Sequence, residues 1–401
     1  MRTKTVALRG LTWNHPRGFD ALVQASREFH ERHPDVEVAW SARSLAEFED
    51  VPLRELAPHY DLVAIDHPFV GEAEAESSLV PLDELIGPEV LAEQAASSVG
   101  PSFASYTWNG RQWALAMDVA AQVSAWRSDL LDARGLDPPV RLGDIADLAA
   151  SLTDVAVAIP AKPTHLYSSL LSLCQLHAGP TVRQADLSPS WWSAKGLDPD
   201  VAVPALERLR EILALALPES LELDPIDVLD RMSGTDTIAY VPLTFGYANY
   251  SRDGCVARAI SFGNVPVGDD GPAGLLGGVG IAVSASCREP EAAARFVVHV
   301  TSEACQRGAY FEGGGQPGHR RAWLDEDLNR ATRGFFAATL PTLDNACVRP
   351  RLRTYPRFQK RAALLVHEGV RRSEPSGRIV EALNELWRAV TAEDPSLERS
   401  P

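Results

Sequence analysis

The sequence predicts an α/β protein divided into two lobes, and three observations support this prediction. Its 401 residues are too many for one comfortable hydrophobic core. Short apolar strands alternate with amphipathic helices, which favours parallel strands joined by right-handed crossovers. A long extended segment, Tyr106–Trp126, follows the first α/β part and is long enough to leave one lobe and enter another. This segment is therefore predicted to form a hinge between the lobes.

The first lobe is predicted from strands and helices that alternate along the N-terminal part. In the first helix, Phe19, Leu22 and Phe29 recur on one face at helical spacing, and Pro34 ends the helix. The loops that follow the strands leave from the carboxyl edge of the predicted sheet, where open α/β sheets bind ligands. The strands are predicted at 5–11, 35–40 and 60–65, and the helices at 19–29 and around 45–56.

The dipeptide Asn109-Gly110 predicts a β-hairpin at the start of the hinge. Both residues readily take the positive φ that the two central positions of a type I′ turn require. The arms of the hairpin are predicted at 106–108 and 111–117. The second arm then continues through Asp118 into a further extended piece at 119–126, which enters the second lobe.

Beyond the hinge, the pattern predicts a second α/β lobe and a return to the first. The second-lobe elements are helices at 129–134, 142–152, about 167–177 and about 203–215, and strands at 155–159 and 236–241. The returning elements are first-lobe strands at 256–262 and 280–283 and an amphipathic helix at 290–301. The helical remainder, interrupted by the glycine-rich 313–318, is expected to cover the second lobe. The predicted lobes are 1–117 with about 252–310, and 118–245 with about 311–401.

Composition and charge exclude several classes of partner. The net charge of −16 repels phosphate backbones, so nucleic acid is not expected to bind. No apolar run approaches the roughly 18 residues that a membrane span needs. The five scattered cysteines have no CxxC spacing, which favours reduced thiols, and Met1–Arg9 lacks the apolar segment of a secretory signal. A cytoplasmic monomer is expected, or a periplasmic or extracellular one if a leader has been removed.

Aromatic and planar polar side chains cluster at the predicted strand ends, which is typical of a carbohydrate or polyol site. A ring stacks on the apolar face of a sugar, while carboxylates, amides and guanidinium groups hydrogen-bond its hydroxyls. Asp118 is weighted most, since a carboxylate beside Met117 on the hinge needs a partner. The alternative is that the aromatic residues only pack and that Asp118 bonds a local backbone amide. The candidate ligand-binding residues are Trp13, Asn14, Arg43, Ser44, Asp66, His67, Asp118, Gln122, Thr244, Phe245, Tyr247, Gln316 and Arg349.

Other patterns indicate neither a cofactor nor a metal. The glycines between 274 and 280 precede a strand instead of joining a strand to a helix, so they do not match a dinucleotide fingerprint. The ten histidines show no paired metal-binding spacing. The basic run is expected to be a solvated surface, although Arg349, if it faced the ligand, would suit an anion. That run is Arg349, Arg351, Arg353, Arg357, Lys360 and Arg361.

Several segments resemble the bacterial extracellular solute-binding proteins of family 1, the receptors of sugar-importing ABC transporters. Tyr106–Leu115, with Trp126–Leu131, resembles the first crossover of that family, although Ala116 stands where proline is more common. The resemblance covers nearly the whole chain. Its other segments are Phe29–Val38, Asp61–Val63, Leu79–Leu85, Gly277–Ser284, Glu289–Ala293, Gln316-Pro317 and Arg349–Arg351.

The resemblance implies a two-lobed, type II periplasmic-binding-protein fold with hinge crossovers and a helical C-terminal region. It implies a receptor, here an apparently leaderless one, that binds a small polar solute between the lobes by closure and passes it to permease subunits. The alternatives are a ligand sensor without turnover, or a cytosolic enzyme on the same scaffold that acts on a small polar metabolite of a biosynthetic pathway. The first catalytic candidates would be Asp66, His67, Asp118, Tyr247 and Cys174, whose spacing is not diagnostic.

Overall fold

The computed structural model describes residues 5–45, 47, 51–179, 187, 189–267 and 271–392. Within them the chain forms two compact units, each built from three stretches of sequence. Unit 1 comprises Met1–Val119, Gly277–Leu328 and Arg349–Pro356, and unit 2 comprises Ala120–Leu276, Asn329–Val348 and Arg357–Pro401.

The strands and helices follow one another in the alternating order that the sequence predicts for the N-terminal part. The strands are β1 (Val6–Trp13), β2 (Val36–Arg43), β3 (Leu62–Ile65), β4 (Leu79–Val80), β5 (Thr107–Trp108), β6 (Arg111–Gln112), β7 (Leu115–Trp126), β8 (Ala156–Val157), β9 (Trp192–Ser193), β10 (Gly196–Leu197), β11 (Ile238–Phe245), β12 (Ser261–Gly263) and β13 (Leu276–Ser284). The helices are α1 (Phe19–Arg32), α2 (Leu53–Leu56), α3 (Val70–Ala75), α4 (Pro88–Ser97), α5 (Ser102–Ser105), α6 (Ser128–Asp132), α7 (Ile145–Ser151), α8 (Pro163–Ala178), α9 (Pro199–Leu215), α10 (Pro225–Gly234), α11 (Pro290–Thr301), α12 (Glu303–Arg307), α13 (Ala309–Glu312), α14 (Arg320–Trp323), α15 (Glu326–Ala331), α16 (Phe335–Asp344), α17 (Tyr355–Arg371) and α18 (Ser376–Ala392). Short 3₁₀ turns lie at Ala57–His59, His67–Phe69, Leu82–Glu84, Leu142–Asp144, Pro218–Glu222 and Ala248–Ser251.

Unit 1 is built on the sheet order β2-β1-β3-β13, with β4 paired to β13. β1 runs parallel to both β2 and β3, whereas β13 is antiparallel to β3. Helix α1 buries an apolar face, and its Phe29 ring meets Phe296 of α11 edge to face at 5.3 Å. The amphipathic pattern predicted for 290–301 therefore forms the expected helix, whose buried face packs in the core of this unit.

Unit 2 contains its own sheet, in which the C-terminal part of β7 lies between β11 and β12. β11 is antiparallel to β7 and parallel to β8. An aromatic cluster adds to the core of this unit, because the Trp387 ring lies 5.2 Å from Trp192 and 4.9 Å from Phe358. The buried helix α8 lies next to α9.

The predicted hairpin is confirmed, since β5 and β6 pair and both Asn109 and Gly110 have positive φ, at 49° and 75°. The two extended pieces expected on either side of Asp118 form a single strand, β7, which passes from unit 1 to unit 2 between Val119 and Ala120. The helix expected around 45–56 lies partly outside the described residues, and its described end is α2.

The two compact units differ from the predicted lobes in three places. The strand expected at 256–262 in the first lobe is β12 of unit 2, because it pairs with Ser124–Trp126. The tail from about residue 311, assigned wholly to the second lobe, lies partly in the two returns of the chain to unit 1, Gly277–Leu328 and Arg349–Pro356. In the first return, the Trp323 indole donates to the Pro317 carbonyl oxygen, which helps to fix the segment. Asp118 and Val119 also belong to unit 1 instead of the second lobe.

Gly280 of β13 is one of the glycines of unit 1 that leave no room for a side chain. A Cβ atom there would lie 2.7 Å from the Tyr106 ring and 2.9 Å from the Ala114 Cβ. We expect Gly280→Ala to lower the free energy of unfolding by about 1–3 kcal/mol through overpacking, measured by urea unfolding. Gly377→Ala, where nothing lies within 4 Å of the added atom, is the control and should change it by less than about 0.5 kcal/mol. Equal stabilities of the two variants would contradict the prediction.

Candidate ligand-binding site

Predicted ligand-binding residues meet at one edge of the unit 1 sheet, where β1, β2 and β3 end. Trp13 and Arg43 lie opposite each other at the ends of the paired strands β1 and β2. The backbone amide of Asn14 donates to the Arg43 carbonyl oxygen at 2.7 Å. Because β3 is parallel to β1, Asp66, which follows β3, lies at the same edge. Asn14 and Ser44 are exposed here, whereas Trp13 and Arg43 are buried.

Asp66 is the centre of a charged cluster in unit 1. Its Oδ1 accepts from the His67 amide at 2.8 Å and so caps the 3₁₀ turn, and its Oδ2 accepts from Arg349 Nη2 at 2.6 Å. Burial alone would raise the pKa of Asp66, but Arg349 and His67 lower it to about 2. The carboxylate is therefore ionised and paired, which places a local ion pair beside the strand ends.

Arg349 and Arg351 correct the prediction that the basic run is a solvated surface. Both side chains are buried, whereas the other members of the run are exposed. Arg351 Nη1 donates to the carbonyl oxygens of Ala104 and Thr107 at 2.8 and 2.7 Å, and its guanidinium lies 5.7 Å from the centre of the Trp108 ring. These contacts hold Arg349–Pro356, the second stretch of chain that returns to unit 1, against the β5–β6 hairpin.

Asp118 has a partner that the sequence did not reveal, Arg17. Arg17 Nε and Nη2 donate to the two carboxylate oxygens at 2.6 and 2.5 Å, and both side chains are almost fully buried. Burial raises the pKa of Asp118, while Arg17 and the Gln316 backbone oppose that shift. The prediction that Asp118 needs a partner is thus met by a bidentate ion pair within unit 1. Its alternative, a bond to a local backbone amide, does not describe this contact, because the amide that bonds Asp118 is that of Gln316, far along the chain.

Tyr106 lies near both charged clusters of unit 1. Its hydroxyl donates to the Ile65 carbonyl oxygen at 3.2 Å, and its ring meets His67 edge to face at 6.3 Å. Burial, followed by the charges of Asp66 and Asp118, raises its pKa well above the ordinary value. Tyr106 was part of the hairpin motif but not of the predicted site. Its position between two carboxylates depends on the fold, so spacing in the sequence gives no sign of it.

Gln316 holds backbone within unit 1. Its side-chain amide donates to the Val119 carbonyl oxygen at 2.7 Å, and its own carbonyl oxygen accepts from the Val119 amide at 3.3 Å. The residue is fully buried. These contacts attach the glycine-rich segment to β7 and give Gln316 a structural role, and its predicted role in ligand binding stays a prediction.

The remaining predicted ligand-binding residues belong to unit 2. Gln122 accepts from Ser172 Oγ at 2.6 Å and donates to Ser169 Oγ at 3.2 Å, so its amide is held by α8. Thr244 and Phe245 lie at the end of β11, the strand that pairs with β7. The Tyr247 ring meets Tyr250 edge to face at 6.2 Å. Gln122, Thr244 and Tyr247 are buried, and Phe245 is partly exposed.

The candidates for catalysis are held in ways that do not favour proton transfer or nucleophilic attack. Both ring nitrogens of His67 are engaged, since Nε2 accepts from the Arg349 amide at 3.2 Å and Nδ1 lies 3.2 Å from Asp66 Oδ1. Burial raises the pKa of Cys174 well above its ordinary value, so its thiol stays protonated. Asp66 and Asp118 are paired with arginines.

Comparison of the sequence with family models and with curated proteins finds no match. Comparison of the structure does find matches over nearly the whole chain. Maltose-bound MalE3 of T. maritima aligns with a TM-score of 0.81 at 17% identity, covering 96% of this chain and 100% of that one. The chain has the two-lobed fold of a type II periplasmic binding protein. The fold class predicted from the sequence is thereby confirmed.

Two further solved structures show the same similarity. An ABC transporter solute-binding protein from Agrobacterium radiobacter K84 in complex with ribitol has a TM-score of 0.77 and 20% identity, over 97% of this chain and 100% of that one. A solute-binding protein from Thermotoga lettingae TMO bound with α-D-tagatose has a TM-score of 0.79 and 15% identity, over 96% of this chain and 100% of that one. Among the described residues, no helix combines the length and apolar character that crossing a membrane would require.

Proposed function

We propose that this protein is the substrate-binding component of an ABC importer and that it binds a neutral carbohydrate or polyol. The observation that carries the proposal is the alignment, over nearly its whole length, with solute-binding proteins that hold maltose, ribitol and tagatose. The partner would be a permease, to which the protein passes its ligand.

Two ion pairs of unit 1 support a neutral ligand over an anionic one. Arg17 is neutralised by Asp118, and Arg349 by Asp66, through charge-assisted bonds of 2.5 to 2.6 Å. An anionic ligand would have to compete with these carboxylates for the same guanidinium groups. A polyhydroxy ligand needs only donors and acceptors of hydrogen bonds.

The exposed polar side chains at the strand ends provide such donors and acceptors. Asn14 presents an amide after β1, and Ser44 presents a hydroxyl after β2. The Ser44 hydroxyl donates to Glu47 Oε2 at 3.0 Å, which orients it. We therefore place the first contacts of the ligand at this edge of unit 1.

A thermal-shift panel tests the proposal directly. The probes are maltose, ribitol, D-mannitol and D-tagatose, with citrate and sulfate as anionic controls. At a concentration one hundred times its Kd, a bound ligand should stabilise the protein by about 2.7 kcal/mol and raise its melting temperature. We expect a rise with at least one neutral probe and none with the anions. A rise with anions alone, or no rise with a broad set of sugars and polyols, would exclude the proposal.

Substitutions at the strand ends test where the ligand sits. Asn14→Ala and Ser44→Ala are each expected to weaken the affinity for the identified ligand by about two- to tenfold, because each removes a hydrogen bond worth about 0.5–1.5 kcal/mol. Glu37→Gln changes an exposed side chain near the other end of β2 and should leave the affinity unchanged. Isothermal titration calorimetry measures all three. Unchanged affinity in both alanine variants would move the site away from this edge.

Closure is the mechanism proposed for ligand binding, as the sequence already predicts. A ligand that favours a closed conformation shifts the population towards it. Small-angle scattering should then show a smaller radius of gyration when saturating ligand is added. An unchanged radius with a ligand that binds by calorimetry would contradict closure but would leave binding itself intact.

A further inference from the structure

We propose that Glu28, His299 and Cys305 form a binding site for a divalent metal ion of the zinc class on unit 1. One carboxylate oxygen, one imidazole nitrogen and one sulfur atom from these residues all lie within 4.8 Å of one another. None of these three residues lies at the edge of unit 1 where β1, β2 and β3 end, so the metal site is separate from the proposed solute site.

Three packed helices bring the three side chains together. Glu28 lies on α1, His299 on α11 and Cys305 on α12. The cap at the start of α12 holds the thiol in place, because Ser302 Oγ accepts from the Cys305 amide at 3.4 Å. The Phe29 ring, 5.2 Å from the imidazole ring, packs against His299. The donor groups are therefore positioned by the core of unit 1 instead of by a loop.

Hydrogen bonds hold the outer atoms of the cluster, and one bond within the cluster would be given up when a metal ion binds. Arg32 Nη2 donates to Glu28 Oε1 at 2.5 Å, and the Cys305 thiol donates to the Glu28 carboxylate. His299 Nε2 is buried without a hydrogen-bond partner and lies 3.6 Å from Glu28 Oε2. His299 also makes a hydrogen bond to the Ala25 backbone. Because Nε2 has no partner, Nδ1 is the nitrogen that makes this bond. Metal-binding histidines are oriented by such a bond from their second nitrogen.

The set of donor types favours zinc over calcium or magnesium. Calcium and magnesium prefer sites made of oxygen atoms, whereas thiolate and imidazole suit zinc and similar ions. Three protein ligands would leave one position of a tetrahedral ion for water. Burial raises the pKa of Cys305 to about 12, so the thiol is protonated and must release its proton to solvent as the metal–sulfur bond forms. Glu28, with 23% of its side chain exposed, provides the access route.

Metal binding would connect α1 to α11 and α12 and so stabilise unit 1. The test uses the full chain carrying Cys255→Ser and Cys287→Ser, because Cys255 is exposed and Cys287 is partly exposed. Zinc affinity is measured by competition with a chromophoric chelator, and melting temperature is measured with and without zinc. We expect one zinc ion per chain, a higher melting temperature with zinc, and a thiolate-to-metal absorption band when cobalt replaces zinc.

Two variants in this background decide the outcome. Cys305→Ser should abolish the cobalt band, and Glu28→Gln should weaken zinc binding by at least about tenfold. Glu28 is partly exposed, so Glu28→Gln is expected to fold and keeps the test valid if Cys305→Ser does not. Circular dichroism checks the folding of both variants. Binding that is lost in the Cys255→Ser, Cys287→Ser background, or that is equal in the background and the Glu28→Gln variant, would overturn the proposal.

Discussion

Arg17→Met is expected to lower the free energy of unfolding by about 3–5 kcal/mol, one of the two largest effects that we predict. The substitution leaves the Asp118 carboxylate buried and without the guanidinium that neutralises it. The carboxylate is only 1% exposed, so water cannot replace the lost partner. Urea unfolding at neutral pH measures the loss. The change in free energy is read from the shift of the urea midpoint, provided that the slope of free energy against urea concentration stays the same.

Two comparisons separate the buried charge from the loss of an arginine side chain. Arg9→Met removes a guanidinium that is 64% exposed and lies 3.7 Å from Asp61, and it should cost less than about 1 kcal/mol. The double variant Arg17→Met, Asp118→Leu removes both charges and should recover most of the lost stability. If Arg17→Met and Arg9→Met cost the same, the ion pair at Asp118 does not stabilise the fold as proposed.

Local features of the fold could be predicted from the sequence because they depend on neighbouring residues. The turn at Asn109-Gly110 follows from the positive φ that these two residues tolerate. The helix at 290–301 was predicted with its observed ends, because its apolar residues repeat at helical spacing and Pro290 occupies the first turn.

The pairings that build the charged clusters could not be predicted in the same way. Arg17 and Asp118 lie 101 positions apart, and Asp66 and Arg349 lie 283 positions apart. An exposed arginine and a buried, paired arginine look alike in a sequence, so Arg351 was expected at the surface although it is buried. The strand β12 also lies in a different unit from the lobe predicted for it, since a short strand carries no sign of which strand will pair with it. Such contacts are decided by the packing of the whole chain.

Acidification from pH 6.5 to 4 is expected to remove several kcal/mol of stability, the second large effect. Burial, the first cause in each case, lowers the pKa of His15, His67 and His165 to about 4. In the unfolded chain these histidines titrate near about 6.5. Below that pH the unfolded state binds more protons than the folded state, so stability falls as pH falls. A shift of about 2.5 units corresponds to about 3 kcal/mol for each fully buried histidine.

Other groups limit the size of this loss but not its direction. Burial raises the pKa values of Glu72 and Asp118, so these carboxylates take up protons earlier in the folded state and partly oppose the loss. The pKa of Asp66 is lowered to about 2, so its contribution is complete above about pH 4 and is lost only at lower pH. The change in the free energy of unfolding between pH 6.5 and 4 therefore depends mainly on the buried histidines.

Urea unfolding of His165→Gln across this interval tests the assignment. The variant removes one of the protons that the unfolded state gains, so the slope of stability against pH should decrease, whatever the substitution costs at neutral pH. His59→Gln changes an exposed histidine and should keep the slope of the parent protein. A parent protein whose stability is flat from pH 6.5 to 4 would mean that these histidines become protonated within the folded state. Their burial would then have little effect on the stability of the fold in acid.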